Sequence, residues 1–311
     1  MTDGHGGILL RRGTLREALM KTTENALAAG ALLPVPTGYE FVEDGGVRFF
    51  VRVLENLSRK DVEKKKQERE GRPVNPFLPY EKDLFVADIS ETHAAILNKF
   101  NVVEHHLLVV TREFEDQETL LTPPDCEALW ACLQEYDGLG FYNGGEAAGA
   151  SQRHKHLQVV PLPLAPEGPG VPVGPLFRDA QFRDEMGTIP GLPFLHVFAR
   201  LSPAEASGEA AKEVFRLYCG MLRHAGMTAP GTDGATRQSG PYCLLVTREW
   251  MLLVPRSAEF FEGISVNSLG FAGALLVRDQ NQMDILKMRG PMAALRDVAL
   301  PPSPQGRHMV S

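Results

Sequence analysis

The stretch NGGEAAGASQRHKHLQVVPLP, residues 143–163, constrains the fold more than any other part of the chain. Glycine and other small residues fill its first half, and then His154, His156 and Gln158 stand at every second position. In an extended strand successive side chains point to opposite faces, so positions i, i+2 and i+4 share one. The alternation predicts a glycine-rich turn running into a strand. One face of that strand carries His154, His156 and Gln158, and the other carries Lys155, Leu157 and Val159.

Periodicity elsewhere supplies neighbours for this strand. Leu15, Ala18, Leu19 and Thr22 follow helical spacing, which predicts an amphipathic helix ending near Gly30. GVRFFVRVLE (46–55) reads as a strand, and NPFLPYEKDLFVADI (75–89) as a proline-punctuated lead into another. The mixed charge run between them, 58–72, cannot bury a face. HHLLVVT (105–111) is a short apolar run suited to a strand covered on both sides. Thr122 followed by Pro123 and Pro124 marks a helix start, Cys126, Leu129, Trp130 and Leu133 keep i, i+3, i+4, i+7 spacing, and Gly138 marks the exit. The stretches 161–175 and 227–241, rich in proline and glycine, read as long surface connections. A helix lies between them, with Val214, Leu217, Tyr218 and Met221 on its inner face. YCLLVTREWMLLVP (242–255) echoes HHLLVVTREF (105–114), a possible trace of duplication.

With 311 residues the chain is long enough for one large core or two packed lobes. A net charge of -7 argues against a protein that coats nucleic acid or anionic membrane, but leaves room for a local basic pocket. Four cysteines without a C-x-x-C pair speak against a disulfide scaffold or zinc ribbon and for a reducing compartment, with the cytoplasm as the expectation. No run of eighteen apolar residues occurs, so no transmembrane helix is expected.

The row of two histidines and a glutamine admits three chemistries. Paired histidines can ligate a metal, yet a closed zinc site needs four ligands and no suitable local partner appears. A plain sheet face with satisfied polar groups is the second reading. The third follows from Gly144, Gly145 and Gly149. Glycines permit positive φ, and successive backbone N–H groups form an anion-binding concavity beside the strand. A histidine presented to a phosphorus atom there attacks through a neutral ring nitrogen, its other nitrogen donating a hydrogen bond that fixes the tautomer.

The sequence resembles the histidine triad superfamily, and within it the ATP adenylyltransferases that phosphorolyse diadenosine tetraphosphate. That branch carries H-x-H-x-Q where hydrolytic relatives carry H-x-H-x-H, and His154-Lys155-His156-Leu157-Gln158 fits it. NPFLPYEKDLFV, ILNKFNVVEHHLLVVTREFEDQ, FYNGGEAAGASQRHKHLQVVPLP and LLVTREWMLLVPRSAEFFEGISVNSLGFAGALLV look like its blocks in order, spanning roughly 75–280. The resemblance implies an α+β chain of the HIT-like, galactose-1-phosphate uridylyltransferase-like fold. Such a fold is an antiparallel sheet flanked by helices, present once or in duplicate. Residues 1–74 would pack on the core, 75–175 form the catalytic half and 176–311 the adenylyltransferase-type C-terminal half.

By this resemblance His156 is the nucleophile that takes an adenylyl group, with His154 orienting it and Gln158 bonding phosphate oxygens. Asn98 would hold ribose, Phe100 the base, and Asn143, Gly149, Ala150 and Ser151 the phosphates, with Lys60, Arg256, Ser257 and Lys287 as weaker candidates for the distal ones. Each has a structural alternative: Asn98 as a turn cap, Phe100 as core, the cations as solvated surface. The implied partners are diadenosine tetraphosphate, ATP, ADP, AMP and inorganic phosphate, with a divalent cation such as magnesium carried on the phosphates and no dedicated protein cage. A monomer or weak homodimer is the expected state. Other donors, adenosine phosphosulfate or a nucleoside diphosphate sugar, fit the same triad, as does a sensor that binds without turnover.

Overall fold

Most of the period-two segments join one antiparallel sheet. In the computed structural model, which describes residues 7–55, 75–201, 207–232 and 234–302, the chain begins with helix α1 (Leu15–Ala28) and the hairpin β1 (Thr37–Asp44) and β2 (Val47–Leu54). Then come β3 (Phe85–Asp88), β4 (His93–Leu97), β5 (Leu107–Thr111), α2 (Pro123–Leu133), β6 (Gly138–Gly144) and β7 (His156–Pro161). The second half runs β8 (Gln181–Arg183), β9 (Met186–Thr188), β10 (Val197–Arg200), α3 (Ser207–His224), β11 (Tyr242–Val246) and β12 (Trp250–Pro255). It closes with β13 (Phe260–Phe261), β14 (Ile264–Ser265), α4 (Ser268–Phe271), β15 (Ala274–Val277), α5 (Gln280–Arg289) and α6 (Pro291–Val298).

Ten strands pair in the order β3-β4-β5-β7-β6-β11-β12-β10-β9-β8. Adding five to every strand number of the first half gives the second half in reverse, and a helix stands before the sixth and eleventh strands alike. The sheet is therefore a duplicated unit meeting itself at the β6–β11 pairing. The LLV-TRE echo is not the mark of that repeat, because β5 corresponds to β10, whereas the echoing segment lies on β11 and β12.

Alternation along each strand sends side chains to two different layers. Leu107, Val109, Leu157, Val159, Leu244, Val246 and Leu253 meet α1, α2 and α3 in one core. Phe141, Val160, Cys243, Leu245, Leu252 and Val254 face a second layer, made by Val47, Phe49 and Val51 of β2 together with Phe271, Leu286 and Leu295. There β2 pairs with β1 on one side and, in parallel, with β15 on the other. Residues near the N-terminus thus lie against both layers, α1 on the first and the β1–β2 hairpin on the second. This second layer covers the C-terminal half of the sheet. Over the N-terminal half, among the described residues, the same face carries a smaller cluster of Phe77, Ala94, Ile96, Leu108 and Val110, beside His156 and Gln158.

Local signals explain the helix ends. Gly30, at φ 72°, lets the chain turn out of α1, with Ala31 N–H returning to the Ala26 carbonyl at 2.9 Å. Thr122 N–H donates to the Asp125 carboxylate at 2.7 Å, closing the first turn of α2 behind its two prolines. Two expectations change. Gly138 opens β6 and does not close the helix, whose cap is Gln134. The 161–175 segment is not a surface connection throughout, since Leu164, Val171 and Val173 are buried in the second core. In 227–241, Ala229 is likewise buried.

Candidate active site

β7 lies between β5 and β6, so both edges of the histidine strand are hydrogen-bonded and its side chains hold fixed heights above the sheet. Directly paired residues share a face, and one such row crosses the sheet through Ile96, Leu108, Gln158, Phe141, Leu245 and Leu252. Gln158 is the polar member of an apolar row, and it stands beside the smaller cluster of Phe77, Ile96 and Leu108. His156 is 4% exposed and Gln158 8%.

The ring of His156 is fixed by its neighbour's main chain. Nδ1–H donates to the His154 carbonyl at 2.8 Å, so in the neutral imidazole Nε2 is the unprotonated nitrogen, its lone pair in the ring plane. Burial is the largest influence on this group and pushes its pKa from 6.5 down to about 4; the bond to the carbonyl partly opposes that, and the charge of His154 adds to it. At neutral pH His156 is an uncharged base in a nearly dry site. Phe77 lies over it, with ring centroids 5.2 Å apart.

His154 takes the opposite tautomer. Nε2–H donates to the Thr111 carbonyl at 2.8 Å with Thr111 Oγ1 also at 2.9 Å, and the Asn75 amide donates to Nδ1 at 2.9 Å. Its ring is thereby fastened between β5 and the segment before β3, and its carbonyl holds the ring of His156. Burial lowers its pKa too, against the Thr111 bond. Gln158 is held by a relay: Asn98 Nδ2 donates to His106 Nδ1 at 3.2 Å, and His106 Nε2–H donates to Gln158 Oε1 at 2.9 Å. The amide's donor edge is consequently turned away from His106. Asn98 also accepts Phe100 N–H at 3.3 Å, so the turn-cap role and the connection to Gln158 coexist.

The loop between β6 and β7 is clamped at several points. Gln117 accepts His156 N–H at 2.8 Å and donates to the carbonyls of Asn143 at 2.9 Å and His156 at 3.2 Å, tying the two ends together. Asn143 Oδ1 accepts Ser268 Oγ–H at 2.6 Å and Ser268 N–H at 3.0 Å, which leaves its amide nitrogen as the outward group. Gly149, at φ 92°, packs so closely that an added Cβ would stand 2.8 Å from Asn267 Cβ. Gly149 N–H bonds the Glu146 carbonyl at 2.8 Å and Ala150 N–H the Gly145 carbonyl at 3.2 Å. These two N–H groups close the turn itself, which corrects the expectation that they cradle a phosphate. Ser151 is exposed at the end of the loop, ahead of the histidines.

The remaining candidates separate. Lys60 lies outside the described residues. Lys287 is on α5, bound to Glu40 of β1 at 2.6 Å on the second layer. Ser257 donates to the Ala299 carbonyl at 3.2 Å, beyond the end of α6. Arg256 is buried and its donors go to main-chain carbonyls, so it is not a direct phosphate ligand. Lys155, on the opposite face, is fully buried between Asp125 at 3.1 Å and Glu115 at 2.7 Å; Asp125 in turn accepts from His93 at 3.0 Å. Burial alone would raise the Asp125 pKa, but the His93 bond and the Lys155 charge carry it down to about 2. Among the described residues no group of three or more His, Cys, Asp or Glu is placed to hold a metal ion, and no helix is long and apolar enough to cross a membrane. All four cysteines are buried free thiols.

The geometry at His156, an imidazole whose tautomer is fixed on a strand beside a tightly clamped glycine loop, suits nucleotidyl transfer through a histidine. The model for the Ap4A phosphorylase N-terminal domain matches residues 5–179 and that for the ATP adenylyltransferase C-terminal domain residues 190–301, and the chain belongs to this family. It is 28% identical over 243 residues to diadenosine 5',5'''-P1,P4-tetraphosphate phosphorylase 2 of Saccharomyces cerevisiae, covering 70% of this chain and 73% of that protein. The fold is similar to a crystal structure of yeast Ap4A phosphorylase Apa2, with TM-score 0.76 and 22% identity over 95% of this chain and 97% of that one. Apa2 in complex with Ap4A gives TM-score 0.75 at 22% identity, covering 94% and 100% of the two chains.

Proposed function

We propose that the protein phosphorolyses diadenosine tetraphosphate to ATP and ADP through a covalent adenylyl-His156 intermediate. The observation that carries this is the Nδ1–H bond of His156 to the His154 carbonyl, which aims an unprotonated Nε2 away from its own backbone. Nε2 attacks the α-phosphorus, an N–P bond forms, and the bond from that phosphorus to the bridging oxygen breaks with its electrons leaving on ATP. Inorganic phosphate then attacks the same phosphorus, the N–P bond breaks, and Nε2 recovers its lone pair as ADP departs. In this reading Gln158 donates through its amide N–H groups to phosphate oxygens. An amide is too weak a base to take a proton from water as a third histidine could, so water is poorly activated and phosphate, already an anion, competes better as the acceptor.

Asn98 and Phe100 take the nucleoside end, and the Asn143 amide and Ser151 hydroxyl take phosphate oxygens, with Gly149 and Ala150 shaping the loop that presents them. A divalent cation travels on the substrate's phosphates. The test is trapping: incubation with the dinucleotide and no phosphate adds one adenylyl group to the wild-type chain by intact mass and none to His156→Ala. Wild-type-like release of ATP and ADP by His156→Ala would end the proposal. A panel of other donors, including adenosine phosphosulfate and nucleoside diphosphate sugars, reads the donor class by kcat/KM.

A further inference from the structure

Arg256, immediately after β12, is 2% exposed, yet the partners of its guanidinium are not carboxylates. Nε donates to the Val298 carbonyl at 3.0 Å, Nη2 to those of Ala258 at 2.7 Å and Val266 at 2.8 Å, and Nη1 to that of Ala148 at 3.3 Å, with Cys243 Sγ 3.1 Å from Nη1. Burying a cation is costly unless its donors are satisfied, and the planar fork of arginine is the side chain that reaches four carbonyls at once. Three of those carbonyls belong to the second layer. The fourth belongs to the loop between β6 and β7, one residue before Gly149, which itself packs on Asn267. The neighbouring Ser268 holds Asn143, at the start of the same loop.

We infer that Arg256 is a positioning residue for nucleotidyl transfer: through the Ala148 carbonyl it sets the loop that places Asn143 and Ser151 against His156, without touching a phosphate. The inference rests on the reaction proposed above. It also gives the C-terminal half a part in a reaction whose proposed nucleophile sits in the N-terminal half.

Arg256→Lys keeps the charge and loses the fork. In a variant that keeps a cooperative melting transition, kcat for the dinucleotide plus phosphate should fall at least ~10-fold, since misplacement by about 1 Å costs on the order of 100-fold. KM for the dinucleotide and the Kd for AMP should stay within about threefold of wild type, a split that a general loss of folded protein would not produce. A folded Arg256→Lys chain with wild-type kcat overturns the inference. Should that variant not fold, Gly149→Ala retains the buried arginine while pushing the loop away from Asn267; wild-type kcat there overturns it equally. Amide exchange in residues 144–153 gives a readout independent of the reaction. It should quicken in Arg256→Lys while β11 and β12 stay protected, and unchanged loop exchange refutes the inference even if the wild-type chain proves to use another donor.

Discussion

The ionisation of His156 makes a prediction in which activity and stability part company as pH falls. With a pKa of about 4 in the folded site, about 97% of the nucleophile remains neutral at pH 5.5, whereas a histidine at its ordinary 6.5 would be only about 9% neutral. The first half-reaction, adenylyl transfer to the enzyme without phosphate, should therefore keep nearly its full rate between pH 7.5 and 5.5 and fall off with an apparent pKa near 4. Using the half-reaction matters, because inorganic phosphate titrates in this range, whereas the internal phosphates of the dinucleotide do not. Stability should move the other way. Between the two pKa values the unfolded chain binds the proton and the folded chain does not, so stability is full above about 6.5 and is lost as pH falls toward 4. His156 alone accounts for about 1 kcal/mol lost at pH 5.5 and about 3 kcal/mol below pH 4. His154 and His196, also lowered by burial, act with the same sign. Rapid-quench measurement of the single turnover beside thermal melts across pH 4–8 checks both limbs. An acid limb near 6.5 in a chain shown by melting to be folded would refute the dry, neutral nucleophile.

Two further outcomes follow from the site's wiring. His106→Ala removes the donor that fixes Gln158, and kcat/KM for phosphorolysis should drop about 10-fold, the worth of one positioned hydrogen bond, while stability falls by about 1–3 kcal/mol because a buried acceptor loses its donor; steady-state kinetics on the folded fraction and chemical denaturation measure the two effects. Lys155→Met leaves Asp125 with His93 but without its buried ammonium, and chemical denaturation should show a loss of about 3–5 kcal/mol, the usual consequence of orphaning one member of a buried ion pair.

The histidine and glutamine row was legible because alternation is a local property: two residues of spacing place His156 and Gln158 on one face wherever the strand lies. The three long helices were legible for the same reason. What supports the row was not, because each support arrives from elsewhere in the chain. Thr111 reaches His154 across 43 residues and Ser268 reaches Asn143 across 125. Asn75, His106 and Gln117 are single polar residues in segments whose pattern is set by other residues, so no period announces them. His106 had one readable hint, its place at the mouth of an apolar strand, but only the register of β5 against β7 brings it to Gln158. Arg256 misled because a cation in a turn reads as surface, and the sequence does not show that four carbonyls converge there. The 105–114 and 242–255 echo misled in another way: each segment has a buried apolar strand followed by a more exposed turn, and that shared environment suits similar residues without shared position in the repeat.

The duplicated sheet also bears on how many sites one chain has. Each half offers a central strand, β7 or β12, in the same place relative to its helix and its outer strands. On β7 the face away from the helices carries His156 and Gln158; on β12 the same face carries Leu252 and Val254, both fully buried beneath the second layer. A nucleophile on β12 would have no access to a phosphorus atom, because β2, β15 and the last helices fill the space a substrate would need. The second layer covers the position on β12, and Arg256 and Ser268 beside it bond Ala148 and Asn143 of the first half. The β6–β11 pairing sets Asn143 opposite Cys243, which brings Arg256 and Ser268 of the covered half within bonding distance of the open half's loop. The stoichiometry of the trapping experiment should accordingly saturate at one adenylyl group per chain, and a second equivalent on the same chain would contradict this division of labour.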